Sequence, residues 1–257
     1  TVVIATRHDS HARLAAAALA AGKHVFVEKP LAIDRQGLRQ VRAAHEQSEG
    51  LQLLVGFNRR FAPLSVKMLQ LLAGRTEPAT GIVTINAGQL PADHWALNPQ
   101  IGGGRIIGEA CHWIDLLVFL FESEVTSAAA ISPGDGSISN QATITLNFAD
   151  GSIGTIHYLA DGHRSFPKER IEIFTEGSIL KLDNFRRLRA YGTKNFHRQS
   201  HLRQNKGHQR QFEQFIQTIQ TGGPPIIPPE QLWNVTEATL AAGESSGVSK
   251  PIDETNG

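Results

Sequence analysis

The sequence predicts an α/β unit joined to an α+β one: a partial doubly wound parallel sheet, then a largely antiparallel sheet with helices. Three observations carry this reading. Over residues 1–55, short β-branched apolar runs alternate with helix-forming stretches, the pattern of parallel strands joined by helical crossovers. From residue 80 to 191, seven strand-like runs follow one another with turn residues between them. One long apolar stretch at 105–121 interrupts them, and a helix apolar nearly all round belongs in a core.

Residues 1–5 read as a buried parallel strand. Asp9 or Ser10 can cap the alanine-rich helix over 12–21, which stops at Gly22-Lys23. A strand over 24–27 leads straight into Glu28-Lys29-Pro30. Asp34 stands as N-cap of a helix running to 47, and 51–55 is a third strand. The pattern changes at Gly56-Phe57-Asn58-Arg59-Arg60-Phe61. Residues 1–56 are therefore expected to form one domain and 57–257 a second, with 245–257 as a flexible polar tail. An amphipathic helix over 64–72 carries the chain to the second sheet, where Asp150-Gly151 and Glu176-Gly177 occupy hairpin positions. Helices over 207–221 and 230–242 close the fold.

Composition narrows the function classes. At 40% hydrophobic and 19% charged, the 257-residue chain has the make-up of an ordinary globular protein. A net charge of +1 gives no global bias toward nucleic acid or an anionic membrane, and no apolar run is long enough to span a bilayer. A single cysteine, Cys111, rules out an intrachain disulfide and suits the cytoplasm. Residues 186–210 hold eight Lys/Arg, three His and no acid, which favours an anionic small molecule over nucleic acid. His8 and His11 lack further ligands nearby, so no metal site is expected.

Ligands of an open parallel sheet bind beyond the carboxyl ends of its strands. Lys29 stands there, and Pro30 fixes its own φ and biases Lys29 toward extended backbone. His112 falls in the buried helix, where an imidazole needs a partner. Helical spacing aligns Gly108, Glu109, His112 and Asp115 on one stripe. Asp115 reads as structural, and the plainer alternative for His112 is a core histidine bonded to it.

Glu28-Lys29-Pro30, the Gly56 to Phe61 segment, and Gly102-Gly103-Gly104 leading to His112 and Asp115 occur in that order. Together they resemble the glucose–fructose oxidoreductase / inositol dehydrogenase / rhizopine-catabolism family (Gfo/Idh/MocA), from Thr1 to about Ala242. The resemblance implies a Rossmann-type nicotinamide-binding domain, with NAD or NADP as cofactor, followed by an open-faced substrate domain that often mediates homo-oligomers. It implies hydride transfer to or from a sugar- or cyclitol-like alcohol. Such a reaction must move a proton while hydride leaves carbon, and an ammonium whose pKa burial depresses can serve.

On the resemblance, Lys29 is the catalytic lysine and His112 its proton-transfer partner. The aspartate that many members carry four residues before that histidine falls on Gly108. Glu109 can replace it if the helix is rotated or irregular there. Thr6, His8, His11, Glu28, Lys29 and Pro30 are candidate cofactor contacts. Asn58 and Arg60 contact substrate or cofactor, the alternative being that the arginines there brace the domain junction. Asp93-His94-Trp95 offers a substrate loop, with His94 and Trp95 suited to a sugar face. The resemblance also implies a first strand and glycine-rich turn ahead of Thr1, so the chain reads as lacking the first half of that domain. The alternative is a non-catalytic sugar-binding or assembly module derived from the same family.

Overall fold

The structure, a computed structural model, describes residues 1–134 and 140–245; the tail expected beyond Ser245 lies outside the described residues. Strands β1 (Val2–Ile4), β2 (Val25–Val27) and β3 (Leu53–Val55) form a parallel sheet in that order, with Val3 opposite Phe26 and Phe26 opposite Leu54. Parallel neighbours need crossovers, supplied by α1 (His11–Ala20) and α2 (Arg35–Glu46). Asp34 caps α2 as expected, its Oδ1 accepting from the Gly37 amide at 2.7 Å. The start of α1 differs. Ser10 is its N-cap residue but makes no capping bond; its hydroxyl donates to the Arg7 carbonyl at 2.8 Å, and a 3-10 turn at His8–Ser10 comes first. That extra turn leaves His8 buried.

After α3 (Pro63–Leu72) comes the large sheet: β4 (Thr80–Asn86), β5 (Val125–Ile131), β6 (Ala142–Phe148), β7 (Ile153–Leu159), β8 (Glu169–Thr175), β9 (Ser178–Asp183), β10 (Arg187–Tyr191) and β11 (Arg198–Ser200). Their order is β11-β10-β9-β8-β4-β7-β6-β5, antiparallel except where β4 meets β7. Glu176 and Gly177, at φ +46° and +73°, make the left-handed pair that a tight β8–β9 hairpin requires. The short strand β11 was not expected, because its three polar residues carry no apolar alternation.

The long apolar segment is one buried feature in two parts: a π-helical turn at Ile106–Ala110, then α4 (Cys111–Phe121). It lies directly on the large sheet. A Cβ on Gly81 or Gly154 would stand 2.8 or 2.7 Å from Leu117, so glycine in β4 and β7 permits the close approach. Two terminal helices finish the core. Asn234 of α6 (Pro229–Glu244) exchanges two 2.9 Å hydrogen bonds with the Val125 backbone, extending the sheet edge with a side chain. From α5 (His208–Thr221), Phe212 and Phe215 pack on Phe26 of the parallel sheet at 4.4 and 6.1 Å between ring centres. One continuous apolar core therefore underlies both sheets. The far face of the large sheet is open, with Ile131, Ile153, Leu159 and Phe174 exposed. Among the described residues no helix is long and apolar enough to cross a membrane.

Candidate active site

β2 delivers the chain to Glu28 and Lys29 at the lip of the parallel sheet, and the Lys29–Pro30 peptide is cis. The half-buried Lys29 Nζ donates to the Gly108 carbonyl at 3.0 Å, inside the π turn. The sheet lip is thus joined to the start of the buried helical segment. The ammonium charge acts on His8, Glu109, Cys111 and His112 together, so these groups share one neighbourhood.

The π turn is the irregularity that the Glu109 reading required; such widened turns concentrate at functional sites. The Tyr158 hydroxyl on β7 donates to Glu109 Oε2 at 2.6 Å, and Arg105 Nε lies 3.8 Å from Oε1. Burial pushes the Glu109 carboxyl up, but Tyr158 and the charges of Lys29 and Arg105 outweigh it and hold the group below the usual carboxylate range. Glu109 is therefore an anion at neutral pH.

His112 is the opposite case. Burial, followed by the charges of Arg59 and Lys29, holds its ring well below the ordinary imidazole range, so it is neutral. Among the described residues its Nδ1 is sealed from solvent without a hydrogen-bond partner, whereas Nε2, also without a partner among them, is not sealed. Asp115 does not bond it. That carboxylate is taken by Arg60, whose Nε donates to its two oxygens at 3.1 and 3.0 Å.

The first turn brings in more. His8 Nδ1 donates to the Gly102 carbonyl at 2.8 Å, and the Trp95 ring stands edge-on to His8 at 4.7 Å. His94 stacks on Trp95 at 5.7 Å and accepts from the Ala96 amide at 3.2 Å. The loop carrying His94 and Trp95 is therefore docked on His8. His11 is fully buried: its two ring nitrogens meet the Pro30 carbonyl at 2.8 Å and the Thr6 carbonyl at 3.0 Å, which ties the two strand ends together from inside. Thr6 is exposed, with its hydroxyl 2.6 Å from that of Ser10. Glu28 lies against Gly56, its carboxylate 2.8 Å from where a Cβ would stand.

Asn58 and Arg60 are committed to other partners. Asn58 donates to the Lys206 carbonyl at 2.7 Å, and Arg60 spends its remaining nitrogen on Gln231 at 2.8 Å. Beside them Arg59 donates to Glu169 at 2.9 and 2.7 Å and lies 4.7 Å over the Trp113 ring, while Lys206 pairs with Glu169 at 2.6 Å. These are buried braces between the sheets. Sequence reasoning missed Tyr158 and Arg105. Tyr158 sits in ordinary strand alternation and carries no motif. Arg105 could have been noticed as the lone charge opening an apolar segment.

What these elements define is a two-sheet α/β protein whose candidate site residues gather where a parallel-sheet lip meets a buried helix lying on an open sheet. Residues 1–57 match the model described as an oxidoreductase family with an NAD-binding Rossmann fold, and residues 74–180 match the GFO/IDH/MocA C-terminal domain. The chain belongs to the Gfo/Idh/MocA oxidoreductase family. It is 27% identical over 68% of its length to the uncharacterized oxidoreductase YrbE of Bacillus subtilis, and 24% identical over 89% to the myo-inositol 2-dehydrogenase of Thermotoga maritima. It spans 53% of the length of the first and 72% of the second. Levoglucosan dehydrogenase, solved with NADH and levoglucosan, superposes at a TM-score of 0.78 with 21% identity, covering 95% of this chain and 77% of that one.

Proposed function

We propose that this chain acts in an NAD(P)-dependent oxidoreductase that moves hydride between the cofactor and a hydroxyl-bearing carbon of a sugar or cyclitol. The observation that carries the reading is the Lys29–Gly108 contact, which puts an ammonium at the mouth of the helix bearing His112. Residues at the sheet lip fit a nicotinamide cofactor: Thr6 is exposed there, and Glu28 and Lys29 are half-buried. A bound nicotinamide supplies the hydride acceptor or donor.

The protein's own part is to hold and move the proton. Lys29 carries three donors, of which one is committed to Gly108, leaving two for a substrate oxygen. It orients that oxygen and stabilises the negative charge that grows as the hydroxyl proton departs. Neutral His112 offers the unsealed Nε2 as acceptor for the proton. Glu109, fixed by Tyr158, orients the polar rim, while Trp95 and His94 provide an apolar face for a sugar ring. Arg60 and Asn58 act as braces, and His11 supports the strand ends.

The same reading assigns residues 1–56 to cofactor binding and 57–257 to substrate binding, with self-association through the open sheet face and residence in the cytoplasm. Gly108, in place of a carboxylate, favours the alternative of a sugar-binding module without catalysis. Titrating the chain with NAD⁺ and NADP⁺ while following tryptophan fluorescence, then adding myo-inositol, separates the two. Saturable quenching followed by the absorbance of reduced nicotinamide is expected. Quenching by myo-inositol with no response to either cofactor would overturn the oxidoreductase reading in favour of the module.

A further inference from the structure

The glycine at 108 and the histidine at 8 occupy one space. A Cβ on Gly108 would stand 2.9 Å from His8 Cε1 and 3.2 Å from its Nδ1, so a side chain there and the ring exclude each other. The ring is also held in a defined state. Its Nδ1 faces a carbonyl, which only accepts, so Nδ1 carries the hydrogen and Nε2 keeps a lone pair. Nε2 has no hydrogen-bond partner among the described residues and is not sealed from solvent. Gly108 in turn gives its carbonyl to Lys29.

We propose that His8 takes over the position left empty by the missing side chain at 108, supplying from the first turn of the chain a neutral hydrogen-bond acceptor beside Lys29. This inference rests on the oxidoreductase reading for its use, namely to receive a hydroxyl of the sugar or cyclitol that Lys29 holds. His8 is thereby a substrate-positioning residue. Burial first, then the charges of Lys29 and His11, lower its pKa to about 4 against the opposing hydrogen bond to Gly102 and the smaller pull of Glu109, and it stays neutral at neutral pH. It also links two parts of the site, because Trp95 packs on the same ring.

The test begins without any ligand. Nitrogen–proton correlation spectra of the isotope-labelled full chain should show His8 protonated at Nδ1 and bare at Nε2 at neutral pH. In Lys29→Met the ring should titrate at higher pH than in the wild type. Gly108→Ala should lower the melting temperature when His8 is present. In the His8→Ala background the same change should cost clearly less, since the one remaining close contact of the new Cβ is the Gly102 carbonyl at 3.3 Å. A ring protonated at Nε2, a titration blind to Lys29, or an equal effect of Gly108→Ala in both backgrounds would each overturn the proposal. Should Gly108→Ala alone fail to fold, recovery of folding in His8→Ala/Gly108→Ala supports it, and failure of the double variant overturns it. With NAD⁺ and myo-inositol, His8→Asn keeps the bond to Gly102 and should raise KM several-fold while leaving kcat nearly unchanged. A fall in kcat at constant KM would overturn the positioning role. Absence of turnover in the wild type would instead count against the proposed function, with the spectra and melting cycle still deciding the place of His8.

Discussion

Two clusters of buried charge stand close together in this molecule, and they are built differently. In the brace, Arg60 meets Asp115 and Gln231, while Arg59 and Lys206 close on Glu169. Cations there have anions, and the geometry is that of a strut. In the cleft, Lys29 has a carbonyl for a partner, and among the described residues His112 has an unpaired Nδ1 and His8 a free Nε2. Burying a polar group without a partner is costly, and in the cleft His112 Nδ1 is such a group. The difference separates residues whose charges are paired with one another from residues that the proposed function assigns to a ligand.

The largest effect should come from breaking the brace. Asp115→Ala leaves the Arg60 guanidinium buried without its anion, which costs about 3–5 kcal/mol of stability, read by urea unfolding. Lys29→Met should do the reverse: little change in the unfolding midpoint, but turnover lowered by about 10²–10⁴-fold. If Lys29→Met destabilises as much as Asp115→Ala, the two clusters do the same job and the distinction fails.

Between these in sensitivity lies pH. The unfolded chain binds protons on His8 and His112 more readily than the folded one does. Stability should therefore be full above the ordinary value of 6.5 and fall as pH drops through it toward about 4. Glu109 and Glu169, held below 4.5 in the fold, add a further loss as pH falls through their folded values. His8→Asn should flatten the upper part of this curve, as measured by melting temperature against pH. A curve unchanged by His8→Asn would show that the ring titrates alike in both states. The smallest expected effect is that of Tyr158→Phe, which removes one hydrogen bond to Glu109 and costs about 1 kcal/mol, with a modest loss of turnover.

Much of this was legible in the sequence, for identifiable reasons. Periodicity exposed both sheets and the buried helix, because alternation and apolar runs are local signals. Lys29 announced itself through its place at a strand end, and Asp34 through capping chemistry. The pairing of His8 with Gly108 could not be read, since it joins a first-turn ring to a glycine a hundred residues away through a shared volume. Arg60 illustrates the converse. Its surroundings in sequence suggest either a ligand contact or a brace, and burial against Asp115 supports the brace. Glu109 needed the π turn, a departure from regular geometry that spacing rules do not contain.

The most direct test follows the hydride itself. The chain is incubated with NAD⁺ and myo-inositol carrying deuterium on its ring carbons, and the recovered dinucleotide is weighed. One deuterium gained per reduced cofactor, lost in Lys29→Met and retained in a Tyr158→Phe control, is the expected result. Unlabelled cofactor from the wild type, or label transfer indifferent to Lys29, would contradict the assignment of the cleft as the reacting centre.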